Sequence, residues 1–258
     1  PVALKVVKKG RPAQDGPVLR EATILRWASH PSILKCGGVL QIVDPSTGLD
    51  SWAVVSEFIG GGELFEQVKR RGAFPEDRAK HILLQLFSAL RHLHQRGIVH
   101  RDIKTENVIL VGQDDLVKLV DFGLATPEWD TSAMVIRCGS PGYIAPEVLR
   151  GEPYNCKVDC FGMGVLMYIL LAGHGPFRGQ TLEEMLVKNI RCRVNLRPLA
   201  SSSEAAKDLL QHLLTHDVEP RLSSEQCLTH PWCQGTTTDP AASSAGAGAA
   251  SASRDSAP

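Results

Sequence analysis

The chain has 258 residues, 43% of them hydrophobic, enough to bury one large core or the cores of two small lobes. Lysine plus arginine and aspartate plus glutamate each number 28, so no net charge draws the molecule onto nucleic acid or an anionic membrane surface. The most apolar segment, Phe161 to Ala172, falls short of the ~20 residues that a membrane-crossing helix needs, and reads as a buried helix.

Taken in order, the first residues, PVALKVV, alternate as a strand does, with Val2, Leu4 and Val6 on one face and Ala3, Lys5 and Val7 on the other. A lysine on such a face is ordinarily an edge residue whose stem covers apolar surface while its ammonium reaches water. The spacing of Leu19, Ile24 and Leu25 predicts a helix over 18–28, stopped at His30-Pro31. Strands are predicted over 33–43 and 52–59, separated by the turn-rich DPSTGLD. The first 59 residues therefore form a small β-rich section with one helix.

From Gly60 the character changes. A helix is predicted over about 75–95, with Ile82, Leu86, Leu90 and Leu93 on one stripe. Pro75, Glu76 and Asp77 suit its start, and Arg91, Arg96 and Gly97 its end. Further helices are predicted over 157–172, 181–191, 203–214 and 223–229. Residues 235–258 contain no Val, Ile, Leu, Met or aromatic residue, and form a disordered low-complexity tail by expectation.

The seven cysteines (Cys36, Cys138, Cys156, Cys160, Cys192, Cys227 and Cys233) are odd in number and scattered, the usage of reduced thiols in a cytoplasmic or nuclear protein. In CLTHPWC, residues 227–233, Cys227, His230 and Cys233 offer three zinc ligands without an evident fourth, so a structural helix end is expected there.

Chemistry concentrates in two loops. HRDIKTEN, residues 100–107, follows the long helix, and DFG, residues 121–123, follows the apolar LVKLV. Asp102 can accept or orient a hydroxyl proton, and Lys104 can neutralise a transferring phosphoryl group. Asn107 and Asp121 can supply hard oxygen ligands to Mg²⁺. Singly, an aspartate in a turn is more often an Asx cap.

Together these segments resemble the eukaryotic protein kinase family, serine/threonine type. HRDIKTEN is similar to its catalytic loop, DFG to its metal-binding loop, APE (145–147) to the end of its activation segment, and VALK (2–5) to its lysine-bearing third strand. The likeness runs from residue 1 to about Cys233. It implies an α+β, two-lobed fold with a partial, β-rich N-lobe over 1–59 and a hinge and mainly helical C-lobe over 60–234. It also implies ATP and Mg²⁺ as cofactors and protein Ser/Thr hydroxyls as substrates, with no nucleic-acid or membrane partner.

By that resemblance, Lys5 contacts the α- and β-phosphates and Glu21 is its ion-pair partner. Ala3 packs on the adenine, with Ile109 below it. In the hinge SEFIGGGELF (56–65), Ser56 guards the back pocket, Glu57 and Ile59 offer backbone groups to the adenine edge, and Glu63 reaches the ribose or a basic substrate residue. Glu63 and Glu106 stand where relatives bind arginine upstream of the target hydroxyl. Asp159 would tie down the HRD backbone, and Arg221 would pair with Glu147. Lys104 and Ser140 point to the serine/threonine branch. GGELF, CGSPGYIAPEVL and LTHPW are closest in flavour to the calcium/calmodulin-dependent kinase group.

The pattern also departs from the family. Its Gly-rich phosphate loop belongs ahead of VALK, so the chain is expected to be a fragment or the outcome of a truncated gene model, binding ATP weakly as it stands; GGG at 60–62 lies in the hinge and cannot serve. Ile136 stands where many relatives carry a phosphorylatable threonine, which would leave Arg101 without its usual phosphate partner; Thr131 and Ser132 could substitute, but a Ser or Thr in such a loop is ordinarily a polar filler, and activation without phosphorylation is the expectation. A stack of Leu25, Cys36, His100 and Phe122 would join the lobes, with Cys36 smaller than the residue usual there. The competing expectation is a pseudokinase or scaffolding domain. No EF-hand loop is present to support calcium control.

Overall fold

The computed structural model describes residues 1–10, 12–112 and 114–235, so the tail over 236–258 lies outside the described residues. β1 (Val2–Lys8) is an edge strand, antiparallel to β3 (Asp50–Glu57), which pairs antiparallel on its other side with β2 (Cys36–Val43). The register sets Ala3, Ser56 and Cys36 in one row across the sheet. Ala3 and Val7 are half-buried, whereas Val2, Leu4 and Val6 face solvent. The alternation is as expected, and the face shared with Lys5 is the one turned toward the molecule.

α1 (Pro12–Trp27) packs on this sheet through Ala22, Ile24 and Leu25. It begins six residues before the expected start at 18, because apolar spacing is silent over its first turns. Asp15 lies in that first turn and accepts the Gly10 N–H at 2.9 Å, a favourable place for a carboxylate. The expected strand over 33–43 begins only at Cys36. Ahead of it, Ile33 makes an isolated parallel bridge to Leu119, and the Leu34 N–H bonds the Leu119 carbonyl at 3.0 Å, so this segment is stitched to the other lobe. The strand expected over 52–59 ends at Glu57, leaving Phe58 and Ile59 in the connection.

The second lobe opens with β4 (Gly61–Glu63), which joins β6 (Val108–Val111) and β7 (Leu116–Leu119) in an antiparallel sheet of order β4-β6-β7. A Cβ on Gly61 would collide with the Leu110 carbonyl, which explains one glycine of the GGG run by close strand approach. β5 (Ile98–Val99) pairs with β8 (Thr126–Pro127).

Helices supply the core. α2 (Leu64–Arg71) precedes α3 (Glu76–His94), whose stripe of Ile82, Leu83, Leu86, Phe87, Leu90 and Leu93 is buried. α4 (Pro146–Arg150) leads to α5 (Lys157–Ala172), apolar almost all round and buried along its length; α3 and α7 (Glu204–Leu213) pack against it. A Cβ on Gly164 would lie 2.8 Å from Leu213 Cβ, so the α5–α7 approach depends on glycine there. α6 (Leu182–Arg191), α8 (Ser224–Thr229) and α9 (Pro231–Gln234) complete the lobe. Among the described residues no helix is long and apolar enough to cross a membrane.

Candidate active site

Lys5 on β1 and Glu21 on α1 face each other, with Lys5 Nζ 2.9 Å from Glu21 Oε1 and 2.8 Å from Oε2. Glu21 is buried, while about half of the lysine side chain remains open to solvent. The pair ties the sheet to the helix and leaves the ammonium accessible.

The loop between β5 and β6 is fixed from beneath. Asp159, buried in the first turn of α5, accepts the His100 N–H at 2.8 Å, the Arg101 N–H at 2.7 Å and a bond from His94 Nε2 at 3.0 Å. Burial works to raise the Asp159 carboxyl, but the His94 bond, the nearby imidazoles and the His100 amide outweigh it and hold the group below its ordinary range. This anchoring compensates backbone strain, since Arg101 sits in the left-handed region at φ 68°, at a cost on the order of 1 kcal/mol for a non-glycine residue.

Asp102 is 8% exposed, and Lys104, Asn107 and Ser140 converge on it. Its Oδ2 accepts Lys104 Nζ at 2.7 Å and Asn107 Nδ2 at 3.0 Å, and its Oδ1 accepts the Ser140 hydroxyl at 2.8 Å. Lys104 Nζ also donates to Ser140 Oγ at 2.8 Å, closing a three-membered network. Burial pushes the Asp102 carboxyl up, yet bonds from Lys104 and Ser140, the Lys104 charge and the Asn107 amide together leave it below the usual carboxylate value. A carboxylate so held is ionised and a weak base, suited to orienting a hydroxyl.

Asn107 spends its amide N–H groups on Asp102, its carbonyl included at 2.9 Å, which leaves Oδ1 as an acceptor. Asp121, in the left-handed region at φ 58°, receives the Gly123 N–H at 3.2 Å on Oδ1. Its other oxygen has no protein partner among the described residues. Two hard oxygen donors remain, and that donor chemistry fits a divalent cation. Beside them Phe122 is buried and meets the His100 ring edge-on at 4.7 Å, with Leu25 buried and Cys36 half-buried in the same core. Burial keeps His100 neutral by pulling its pKa down, against the pull of Asp159, Asp102 and Asp121.

Along the connection between lobes, Ser56 and Ile59 are half-buried. The Glu57 side chain braces the lobes, accepting Lys118 Nζ at 2.7 Å and the Lys35 N–H at 2.8 Å. Glu63 is exposed and stands opposite half-buried Ile109 in the β4–β6 register. Glu106 accepts the Thr105 hydroxyl at 2.9 Å.

Arg101, expected to lack a phosphate partner, finds partners of another kind. Its guanidinium is engaged without a phosphate, donating through Nε to the Leu124 carbonyl at 2.7 Å and through Nη1 to the Ala133 carbonyl at 2.7 Å and the Tyr154 hydroxyl at 3.2 Å. Neither Tyr154 nor the bridging geometry of Ser140 is visible in motif spacing, because both depend on how the 121–145 segment folds back.

CLTHPWC is a helix end, as expected. His230 caps α9, its Nδ1 accepting the Trp232 N–H at 3.2 Å while Nε2 meets Asp208 Oδ2 at 2.9 Å. Asp208, His212 and His230 lie close enough to hold a metal ion. With Nδ1 occupied as an acceptor, the neutral His230 ring carries its proton on Nε2 and gives it to Asp208, so no lone pair faces a cation.

The family model described as protein kinase domain matches residues 1–233. The chain is similar to a probable serine/threonine-protein kinase 2 of Plasmodium falciparum, 35% identical over 242 residues, covering 92% of this chain and 46% of that protein. It is also similar to human calcium/calmodulin-dependent protein kinase type 1B, 36% identical over 241 residues and covering 92% and 68% of the two chains. With calcium/calmodulin-dependent protein kinase type 1 of Macrobrachium nipponense it shares 34% identity over 239 residues, covering 91% and 67%. The chain thus spans about half the length of the first of these relatives and about two thirds of the others.

Proposed function

The chain belongs to the protein kinase domain family, and from that premise we propose that it transfers the γ-phosphoryl group of ATP, bound with Mg²⁺, to serine or threonine hydroxyls of proteins. The observation that carries the proposal is the Asp102 carboxylate, buried, ionised and held by Lys104, Asn107 and Ser140.

Asn107 Oδ1 and the Asp121 carboxylate would hold the metal, which supplies positive charge to the phosphate oxygens when bound. Lys5, aimed by Glu21, meets the α- and β-phosphates. Ala3, Ser56, the backbone of Glu57 and Ile59, and Ile109 line the adenine. Asp102 accepts a hydrogen bond from the incoming hydroxyl and points its oxygen at phosphorus; the new P–O bond forms as the bond to the ADP oxygen breaks, and ADP leaves with the electron pair. Because Asp102 is a weak base, the proton moves to it only once bond formation has made the hydroxyl acidic. Lys104 stands where negative charge gathers on the transferring group, so most of the work is positioning and electrostatics. The exposed carboxylate of Glu63 and that of Glu106 favour arginine upstream of the target residue.

The test is phosphate transfer from ATP to a basic serine peptide by wild type and Asp102→Asn. Loss on the order of 10²–10⁴-fold in the variant, with an unchanged melting temperature, is expected for removing a positioned acid–base group. Equal transfer by both proteins would overturn the assignment.

A further inference from the structure

Tyr154 lies between α4 and α5, buried, and nothing in the phosphoryl-transfer scheme uses it. It grips the 133–138 stretch at several points. Its backbone N–H donates to the Met134 carbonyl at 3.1 Å, and its hydroxyl donates to the Ile136 carbonyl at 2.8 Å. The same oxygen receives Arg101 Nη1 at 3.2 Å and lies 3.8 Å from Cys138 Sγ. The Ala133 carbonyl, 3.1 Å from that hydroxyl, takes Arg101 Nη1 at 2.7 Å, so the single phenolic proton is free for Ile136. Burial first of all, with Cys138 adding to it, pushes the Tyr154 hydroxyl up to about 12, and it stays a donor across the working range of pH.

The far end of the stretch is fixed as well. Ser140 Oγ is bonded to Asp102 and Lys104, and Gly139, at φ 106°, is pressed on the Arg101 backbone so closely that a Cβ would lie 2.9 Å from the Arg101 carbonyl. Residues 136–140 therefore hang between two anchors, the Tyr154 hydroxyl and the Asp102 carboxylate. The clasped residues, Ala133, Met134, Val135, Ile136, Arg137 and Cys138, include no hydroxyl that could take a phosphate.

We infer that Tyr154 is a positioning residue: together with Arg101 it clasps residues 133–138 by hydrogen bonds to backbone carbonyls and so seats Ser140 against Asp102 without any phosphate. The effect on turnover rests on the kinase reading, whereas the clasp itself does not. Hydrogen bonds to a guanidinium are stronger than those between neutral groups, which is why carbonyls suffice where a phosphate would otherwise be the partner.

The experiment compares wild type with Tyr154→Phe, which keeps the ring and removes the hydroxyl. The variant is expected to lose about tenfold in kcat, the loss typical of one buried hydrogen bond, with KM for ATP within about twofold. Amide hydrogen exchange across 133–140 should quicken about tenfold while exchange in α3 and α5 does not change, a local response that general destabilisation would not produce. Wild type treated with phosphatase should keep its activity. Unchanged exchange across 133–140 in a folded variant, or an unchanged kcat in an active one, or loss of wild-type activity on phosphatase treatment, would overturn the inference. If wild type transfers no phosphate at all, the kinase reading fails, and the exchange measurement alone decides the clasp. Should Tyr154→Phe not fold, Arg101→Lys, which keeps the charge but lacks the fork, is read by the same exchange measurement with the same expected direction.

Discussion

Arg221 and Glu147 meet as a bidentate pair, Nη1 2.6 Å from Oε1 and Nη2 3.0 Å from Oε2, with both side chains sealed from solvent. The guanidinium also donates to the carbonyls of Thr215 and Lys157 and lies over the Phe161 ring at 5.1 Å. It thus binds the start of α4, where the segment carrying Ser140 ends, to α5 and to the turn after α7. A buried pair broken on one side leaves an uncompensated charge, which costs more than the pair itself contributes. Arg221→Met is therefore expected to lose about 3–5 kcal/mol in urea unfolding, and Glu147→Leu with Arg221→Met to lose less than the sum of the two single changes. Additive losses would show that the two groups act independently.

Ser56 lies in the row Ala3–Ser56–Cys36, three small side chains side by side at the inner end of the sheet, and all three are half-buried. A row this small leaves room behind the adenine position. ATP-competitive compounds with a bulky group directed there are expected to bind wild type at least tenfold more tightly than Ser56→Met, a gap of about 1.4 kcal/mol that lost packing and overpacking readily supply. ATP itself should bind the two proteins alike. Calorimetric titration with one bulky and one small compound checks this, and equal weakening of both would sink it.

How much of this was legible in the chain depends on where each signal resides. α5 is readable because its apolar residues are contiguous, and α3 because its stripe is framed by Pro75 at one end and basic residues at the other. Asp102, Lys104 and Asn107 were legible because their chemistry sits within eight consecutive residues. The start of α1 was not, since its first turns carry no periodic apolar face, and the turns at Arg101 and Asp121 adopt positive φ without a glycine to mark them. The partners of Arg101 were hidden for a different reason. Tyr154 is 53 residues away, and only tertiary folding brings a carbonyl or a hydroxyl to the guanidinium.

Acid should weaken the fold in two separate steps. His30, His92 and His100 all have pKa values pulled below 6.5, burial being the leading cause in each, with neighbouring cations adding to it for His30 and His92. As pH falls through 6.5 the unfolded chain takes up protons that the folded protein refuses, so stability declines toward the depressed folded values. Asp102 and Asp159 act with the same sign at lower pH, because their folded pKa values are lowered too: their contribution is complete above the ordinary carboxylate range and is lost only below about 4. Melting temperature should therefore slope downward as pH falls from 7.5 to 5.5, and fall further below about pH 4 as the carboxylates are protonated. His92→Gln should make the first slope shallower; a flat profile between pH 5.5 and 7.5 in wild type would contradict the assignment.

Lys5 and Glu21 separate stability from function. The lysine side chain is about half exposed, so solvent screens the pair and its contribution to folding is about 1 kcal/mol or less. Its geometric effect is larger, because a free lysine samples many rotamers and spends little time where phosphates would meet it. Glu21→Gln is expected to shift the urea midpoint only slightly while lowering kcat/KM for ATP at least tenfold, since a neutral amide holds the ammonium by a weaker bond. Lys5→Met should lose far more activity with an equally small change in stability. Measuring unfolding and steady-state kinetics on the same preparations decides the matter: a loss of several kcal/mol with an unaltered rate would mean that the pair braces β1 against α1 and does not aim the ammonium.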